Sequence, residues 1–162
     1  MIITRKAFAY ITNHDRLLVF DHPDFLDAGI QVPAGTMRDV EEPEAAVLRE
    51  AHEETGLDGL ILAGFLGVHH REMSDYGMQA IHERHFYHLI HEGETPDEWL
   101  HWESDPDDGG APIKFRLYWV HLPDEVPELI AEHGKFLPDL IAAIATVAEG
   151  GQSGPSEAKL NA

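Results

Sequence analysis

This 162-residue sequence contains no cysteine, few basic residues and no long apolar segment. Without cysteine the chain forms no disulfide and offers no thiolate ligand to a metal. No stretch approaches the roughly 20 apolar residues that a membrane-spanning helix needs. The first ten residues also lack the apolar run and cleavage site of a secretion signal. We therefore expect a soluble cytoplasmic protein with no membrane partner.

The scarcity of basic residues gives the chain a strong negative charge. Lys and Arg number 11 against 30 Asp and Glu, for a formal net charge of −19. Such a surface repels the phosphate backbone of nucleic acids, so binding to duplex nucleic acid is not expected. It also repels a polyphosphate substrate, which makes neutralisation by a bound cation more important.

The most informative segment covers residues 35–57 and follows the pattern G-x5-E-x7-R-E-A-x-E-E-x-G-L. Pro43 suits the first position of a helix, where its missing N–H is not needed. No helix breaker follows until Gly56, which suits a left-handed C-terminal cap. The sequence therefore predicts a helix from Pro43 to Thr55. On that helix Glu50, Glu53 and Glu54 share one face.

These three carboxylates repel one another unless a cation lies between them. Their hard oxygen atoms suit magnesium or manganese better than zinc. Three glutamates taken alone would ordinarily be interpreted as a solvated helix face. Glycine at both ends of the segment and Arg49 within it favour a metal site instead.

The same pattern resembles the signature of the Nudix hydrolases, which cleave nucleoside diphosphates linked to a further group. The resemblance implies a pyrophosphohydrolase that uses Mg²⁺ or Mn²⁺ and cleaves a phosphoanhydride bond of a small nucleotide-type substrate by water attack at phosphorus. The alternative is a Nudix-fold module that binds such a ligand without cleaving it. Because every ligand position is filled here, the enzyme is favoured. A homodimer is compatible with the sequence.

The resemblance also implies roles for individual residues. Glu53 and Glu54 correspond to the principal metal ligands, joined by the backbone carbonyl of Gly35. Glu50 corresponds to a residue that binds metal directly or through water and can help to deprotonate the attacking water. Arg49 corresponds to a residue that orients a carboxylate. Glu41 corresponds to a residue that holds the metal ligands in place without binding the metal itself.

The expected fold class is α+β. The resemblance implies a Nudix-like α/β/α sandwich, with a mixed sheet between helices, over residues 1–148. Residues 149–162, rich in Gly, Ser, Pro and Glu, predict a flexible tail. Alternation and apolar content predict strands at 4–12, 16–21, 57–71, 80–91 and 113–122, and helices at 126–133 and 136–148.

Residues 91–112 are predicted to form one long connection, a length that is uncommon unless the segment has a function. Trp99 and Trp102 in this connection are candidates to stack on a nucleobase, and the alternative is that they pin the loop to the body. Glu98 and Glu103 are the leading candidates for an additional acid in the site.

Arginines outside the signature are candidates for substrate phosphates. Arg71, Arg84 and Arg116 lie in predicted strands and are the best placed in sequence. The alternative for each is an ion pair on this acidic surface, and that alternative is favoured.

Overall fold

The structure is a computed structural model that describes residues 1–103 and 110–147, and in this part of the chain a mixed sheet lies between two helices. The strands are β1 (Ile2–Asn13), β2 (Arg16–Asp21), β3 (Ala34–Thr36), β4 (Ile61–Glu72), β5 (Ala80–Ile90), β6 (Glu98–Glu103) and β7 (Ile113–His121). The helices are α1 (Pro43–Thr55) and α2 (137–147).

The sheet runs in the order β4-β5-β1-β2-β7-β6, with β3 beside residues 6–8 in the middle of β1. Strands β1 and β5 pair in parallel and the other pairs are antiparallel. The prediction of an α+β fold with a mixed sheet between helices is therefore confirmed.

From Ala7 onward β1 is buried on both faces, because each face carries a helix. Ala7, Ala9 and Ile11 belong to the apolar cluster that contains the buried face of α1. Phe8 and Tyr10, which alternate with them, belong to the second cluster, on the side of α2. Lys6 lies on the same side of β1 as Phe8 and Tyr10.

Helix α1 begins and ends where the sequence predicts. Pro43 occupies its first turn, and Gly56 follows with a left-handed φ of 75°. The Gly56 N–H donates to the carbonyl of His52 and so closes the last turn. Ala46, Val47 and Ala51 bury one side of the helix against the sheet, which leaves its glutamates along another.

Two predictions about secondary structure are wrong. Residues 91–112 are not one long loop, because β6 forms within them and pairs with β7. Residues 126–133 are not a helix, and only Ile130–Glu132 forms a 3-10 turn, in which Ala131 has a left-handed φ of 50°. The left-handed φ values of Ala131 and Glu132 interrupt any continuous α-helix over these residues. Residues 104–109 of the predicted loop and the predicted tail 149–162 lie outside the described residues.

The predicted strand at 57–71 is confirmed as the bent strand β4. Its pairing with β5 shifts register between Leu62 and Gly64 and again between Phe65 and Gly67. At the second shift a Cβ on Gly67 would lie 2.5 Å from the Phe136 ring, so glycine allows the ring to approach. None of the described helices is long and apolar enough to cross a membrane.

Candidate active site

Three buried carboxylates converge where α1 meets the end of β6. Glu50 and Glu54 lie one turn apart on α1, and Glu103 is the last residue of β6. One carboxylate oxygen from each lies within 4.8 Å of the others. Their exposed fractions are 2%, 7% and 8%. Burying three such groups together is unfavourable unless protons or cations neutralise them.

Strand β3 brings its backbone against the same carboxylates. The Ala34 N–H donates to Oε1 of Glu54 at 2.8 Å. A Cβ on Gly35 would lie only 1.9 Å from Cδ of Glu50. Only glycine fits there, which explains the glycine at the start of the signature by close approach of the backbone.

Arg49 is the cation that contacts this acidic group. Its Nε and Nη2 each donate to Glu41 at 2.7 Å, and Nη1 donates to Glu50 at 2.8 Å and to Glu53 at 3.3 Å. Nη2 also donates to the carbonyl of Thr36 in β3 at 3.3 Å. These bonds lower the pKa of Glu41 to about 2 and raise the pKa of Arg49. Arg49 therefore links Glu41, which precedes α1, to two glutamates of that helix and to the backbone of β3.

The electrostatics of Glu54 favour a bound cation. Burial raises the pKa of Glu54 well above its usual value, and the charge of Glu103 and, more weakly, that of Glu50 raise it further. The Ala34 N–H opposes this rise. A divalent cation among the carboxylates would offset both burial and repulsion, and an all-oxygen donor set suits Mg²⁺ or Mn²⁺.

The structure places the other predicted acids at different distances from this cluster. The Glu53 side chain lies at the rim, 35% exposed and in contact with Arg49. It is not among the three oxygen donors that converge. Glu98 is exposed and lies on the opposite face of β6 from Glu103, because their positions differ by an odd number on the strand. Of the two acids predicted in the connection, only Glu103 joins the cluster.

The two tryptophans have different environments. Trp99 donates from Nε1 to the carbonyl of Thr55 at 3.0 Å, at the end of α1, and packs beside Trp119. This hydrogen bond therefore holds β6 against the C-terminal end of α1. Trp102 is 54% exposed, and Nζ of Lys114 lies 5.4 Å from its ring centroid. Trp102 therefore has the more exposed ring of the two, on the same face of β6 as Glu98 and opposite to Glu103.

Two of the three predicted arginines form ion pairs. Arg71 pairs with Asp75 at 2.8 Å and with Glu132 at 3.5 Å. Arg116 pairs with Asp21. Arg84 differs, because it is 2% exposed and donates to the carbonyl of Ala131 instead of to a carboxylate.

Lys6 and His133 were not identified from the sequence. Together with Arg84 and His82 they line a cleft of about 350 Å³ on the face of the sheet that also carries α2. The alternation of β1 could have drawn attention to Lys6, since a lysine at an inward position before Phe8 and Tyr10 is unusual. Only the parallel pairing of β1 with β5 brings it next to His82 and Arg84.

The model of the NUDIX domain family matches residues 3–140. A search of curated proteins finds no match.

Solved structures share the fold at low sequence identity. A crystal structure of UDP-X diphosphatase has a TM-score of 0.57 at 15% identity, covering 93% of this chain and 65% of its own. A MutT NUDIX hydrolase from Burkholderia pseudomallei has a TM-score of 0.53 at 21% identity, covering 82% and 92%. A bifunctional NMN adenylyltransferase/ADP ribose pyrophosphatase from Francisella tularensis, complexed with AMP and a manganese ion, has a TM-score of 0.55 at 15% identity, covering 87% and 42%.

Proposed function

This chain belongs to the Nudix family, and on that premise we propose that it is a metal-dependent pyrophosphohydrolase. Its substrate is a nucleoside diphosphate linked to another group, and water attacks phosphorus to cleave the phosphoanhydride bond. The observation that carries this proposal is the group of buried carboxylates formed by Glu50, Glu54 and Glu103. A buried cluster of this kind is unfavourable unless protons or a cation neutralise it, and its all-oxygen donor set suits a divalent cation.

The donors present fit Mg²⁺ or Mn²⁺. Glu50, Glu54 and Glu103 supply carboxylate oxygens, and the close approach of Gly35 brings its backbone beside them. We assign these residues as the ligands, with Glu53 at the exposed rim as a further ligand. When bound, the metal supplies Lewis-acid activation and a source of the nucleophile at neutral pH.

The remaining residues of the signature position the ligands. Arg49 fixes the side chains of Glu50 and Glu53 relative to Glu41 and to the carbonyl of Thr36. Since Arg49 is held by these acidic and carbonyl partners, we assign it to orientation of the carboxylates and not to contact with substrate. Glu50, the most deeply buried of the group, is our candidate to accept the proton of the attacking water.

The class of substrate is supported by the named neighbours. They include a UDP-X diphosphatase and an ADP ribose pyrophosphatase, both named for diphosphates that join a nucleoside to a further group. In this chain Trp102 precedes Glu103 at the end of the edge strand β6, and its exposed ring lies on the opposite face of that strand, so a base bound to it would pass around the strand edge. We propose Trp102 as the platform for a nucleobase.

The reaction is tested by incubating the protein with nucleoside diphosphate sugars, ADP-ribose, dinucleoside polyphosphates and nucleoside triphosphates in Mg²⁺ or Mn²⁺. With a turned-over compound in ¹⁸O-water, the label should enter a phosphate product. Label found only on a sugar carbon would contradict attack at phosphorus. Measurable binding without turnover of any compound would instead identify a non-catalytic binding module.

The ligand assignment is tested by a pair of variants on one strand. Glu103→Gln should lower kcat by about a hundredfold or more, since loss of a metal ligand removes several kcal/mol of stabilisation from the transition state. Glu98→Gln makes the same chemical change on the opposite face of β6 and should leave kcat close to that of the wild type. Equal activity of both variants would show that Glu103 is not a ligand.

A further inference from the structure

The cleft on the far side of β3 is positively charged, although the protein as a whole is strongly negative. Its lining includes Lys6, Arg84, His82 and His133. Asp27 is the one carboxylate in that lining, and it is exposed on a 3-10 turn. In a chain with a net charge of −19, cationic side chains without acidic partners are unusual enough to need a reason.

Arg84 is the strongest part of this observation. Its side chain is 2% exposed, yet it forms no salt bridge within residues 1–103 and 110–147. Nη1 donates to the carbonyl of Ala131 at 2.5 Å, and Nε has no hydrogen-bond partner in the same part of the chain. Glu132 and Asp75 lie nearby, but Arg71 binds both. Burial lowers the pKa of Arg84 to about 10, so it is still charged at neutral pH.

Lys6 and His133 add further hydrogen-bond donors to the cleft. Nζ of Lys6 donates to the hydroxyl of Thr36 at 2.9 Å and has further hydrogens to offer. Nδ1 of His133 accepts a hydrogen bond from the Val32 N–H at 3.2 Å, so a neutral His133 carries its proton on Nε2. Burial lowers the pKa of His133 to about 3, which keeps it neutral at pH 7. Hydrogen-bond donors and positive charge therefore line the same cleft.

The cleft adjoins the proposed catalytic centre through β3. Ala34 lines the cleft, and its N–H donates to Glu54. Thr36 accepts from Lys6 through its hydroxyl and from Arg49 through its carbonyl. A single extended strand of three residues therefore lies between the carboxylates and the cationic cleft.

We propose that this cleft binds an anionic group of the substrate, a carboxylate or a phosphate, that is distinct from the diphosphate being cleaved. This inference rests on the proposed function for the identity of the reacting site. Oxyanions match the donors present, because a guanidinium and an ammonium both form charge-assisted hydrogen bonds with them. The preferred substrates are accordingly nucleoside diphosphate conjugates with one additional negative group.

Arg84 has a competing structural role, which is to hold the turn at Ile130–Glu132. Ala131 and Glu132 both have left-handed φ values there, and the Arg84 bond to the Ala131 carbonyl stabilises that conformation. A structural role alone predicts loss of stability on substitution, without any effect on the choice between anionic and neutral ligands. Lys6 does not contact this turn by any hydrogen bond in the described residues, so it tests the binding role separately.

The experiment uses two pairs of compounds that differ by one anionic group. UDP-glucose and UDP-glucuronate differ by a carboxylate, and NAD⁺ and NADP⁺ differ by a phosphate. Dissociation constants are measured by calorimetry in EDTA, where no metal-dependent turnover takes place. Both members of a pair carry the same diphosphate, which the metal-free carboxylates repel equally. This repulsion therefore cancels in the ratio of the two dissociation constants.

In at least one pair the more anionic compound should bind about tenfold more tightly, the factor expected for one charge-assisted hydrogen bond. Lys6→Gln and Arg84→Gln should each bring the ratio of the two dissociation constants in that pair toward one. The control Arg5→Gln makes the same change of charge at the neighbouring position of β1, on the other face, where Arg5 lies 3.5 Å from Glu83. This variant should keep the wild-type ratio.

Three results would overturn the inference. If the two compounds of each pair have equal dissociation constants in the wild type, the additional anionic group is not bound. Equal weakening of both members of a pair in Lys6→Gln would show that the cleft binds the diphosphate itself. Loss of thermal stability in Arg84→Gln, with the ratio unchanged in both variants, would assign Arg84 to the turn alone. Failure of the proposed function is seen separately, as absence of turnover with Mg²⁺ or Mn²⁺.

Discussion

The pair formed by Arg49 and Glu41 provides a quantitative test of how the acidic site is held together. Arg49 donates twice to Glu41, each time at 2.7 Å, in the two-pronged geometry that guanidinium and carboxylate prefer. Their side chains are 18% and 13% exposed. The perturbations are Arg49→Met, Glu41→Gln and the double variant, compared in a double-mutant cycle.

The expected energies follow from burial and charge. Arg49→Met leaves both Glu41 and Glu50 without their cation, and removing one partner of a buried pair costs about 3–5 kcal/mol. Hydrogen bonds to charged groups contribute roughly 1.5–3 kcal/mol, and solvent at the rim of this pair lowers that value. We therefore expect a coupling energy of about 2 kcal/mol between Arg49 and Glu41.

The assay is urea unfolding of the metal-free protein in EDTA at pH 7, so that a bound cation does not replace Arg49. Since the pKa of Glu41 lies at about 2 in the folded protein instead of 4.5, the stabilisation is complete above pH 4.5 and is lost as the pH falls toward 2. The coupling should accordingly be smaller at about pH 3.5 than at pH 7. A coupling below about 0.5 kcal/mol at pH 7 would refute the reasoning, because it would show that the pair contributes nothing beyond an exposed ion pair.

Further predictions concern the backbone at the site, the cleft and the exposed ring. Gly35→Ala should abolish most turnover while circular dichroism stays native, because the new Cβ would lie 1.9 Å from Cδ of Glu50 and displace that carboxylate; normal kcat would contradict the assigned role of Glu50. His133 is neutral when folded, with a pKa of about 3, but takes up a proton near 6.5 when unfolded, so the free energy of unfolding should fall as the pH drops below 6.5. His133→Gln should reduce that fall by about 2 kcal/mol at pH 5 in urea titrations, and an unchanged pH dependence would contradict it. Trp102→Ala should raise KM about tenfold with metal affinity preserved, as expected for loss of one base stack; unchanged KM with reduced thermal stability would show that the ring only packs.

Local sequence was sufficient for the helix that carries the signature. Proline at the first position, glycine after the last and no breaker between them determine where α1 begins and ends, and these are local properties of the backbone. The helical period then places Glu50 and Glu54 on one face without knowledge of the rest of the chain. The same period brings Arg49 within 3.3 Å of Glu53.

Tertiary structure alone decided which residue from outside the helix joins that face. Residues 98–103 are Glu-Trp-Leu-His-Trp-Glu, and each face of such a strand mixes apolar and polar side chains, so the sequence did not indicate which side is buried. Pairing with β7 and the bond from Trp99 to Thr55 fix the strand, and they turn Glu103 inward and Glu98 outward. The register of a strand depends on its neighbours, and a change of one residue exchanges its two faces.

The cationic cleft also depends on distant parts of the chain. Lys6 and Arg84 are 78 positions apart and become partners in register only because β1 and β5 pair in parallel. Arg71 and Arg116 look equivalent to Arg84 in sequence, yet each meets a carboxylate while Arg84 is buried without one in the described residues. Sequence determined the chemistry available at each position, whereas strand pairing decided which charges met an opposite charge and which did not.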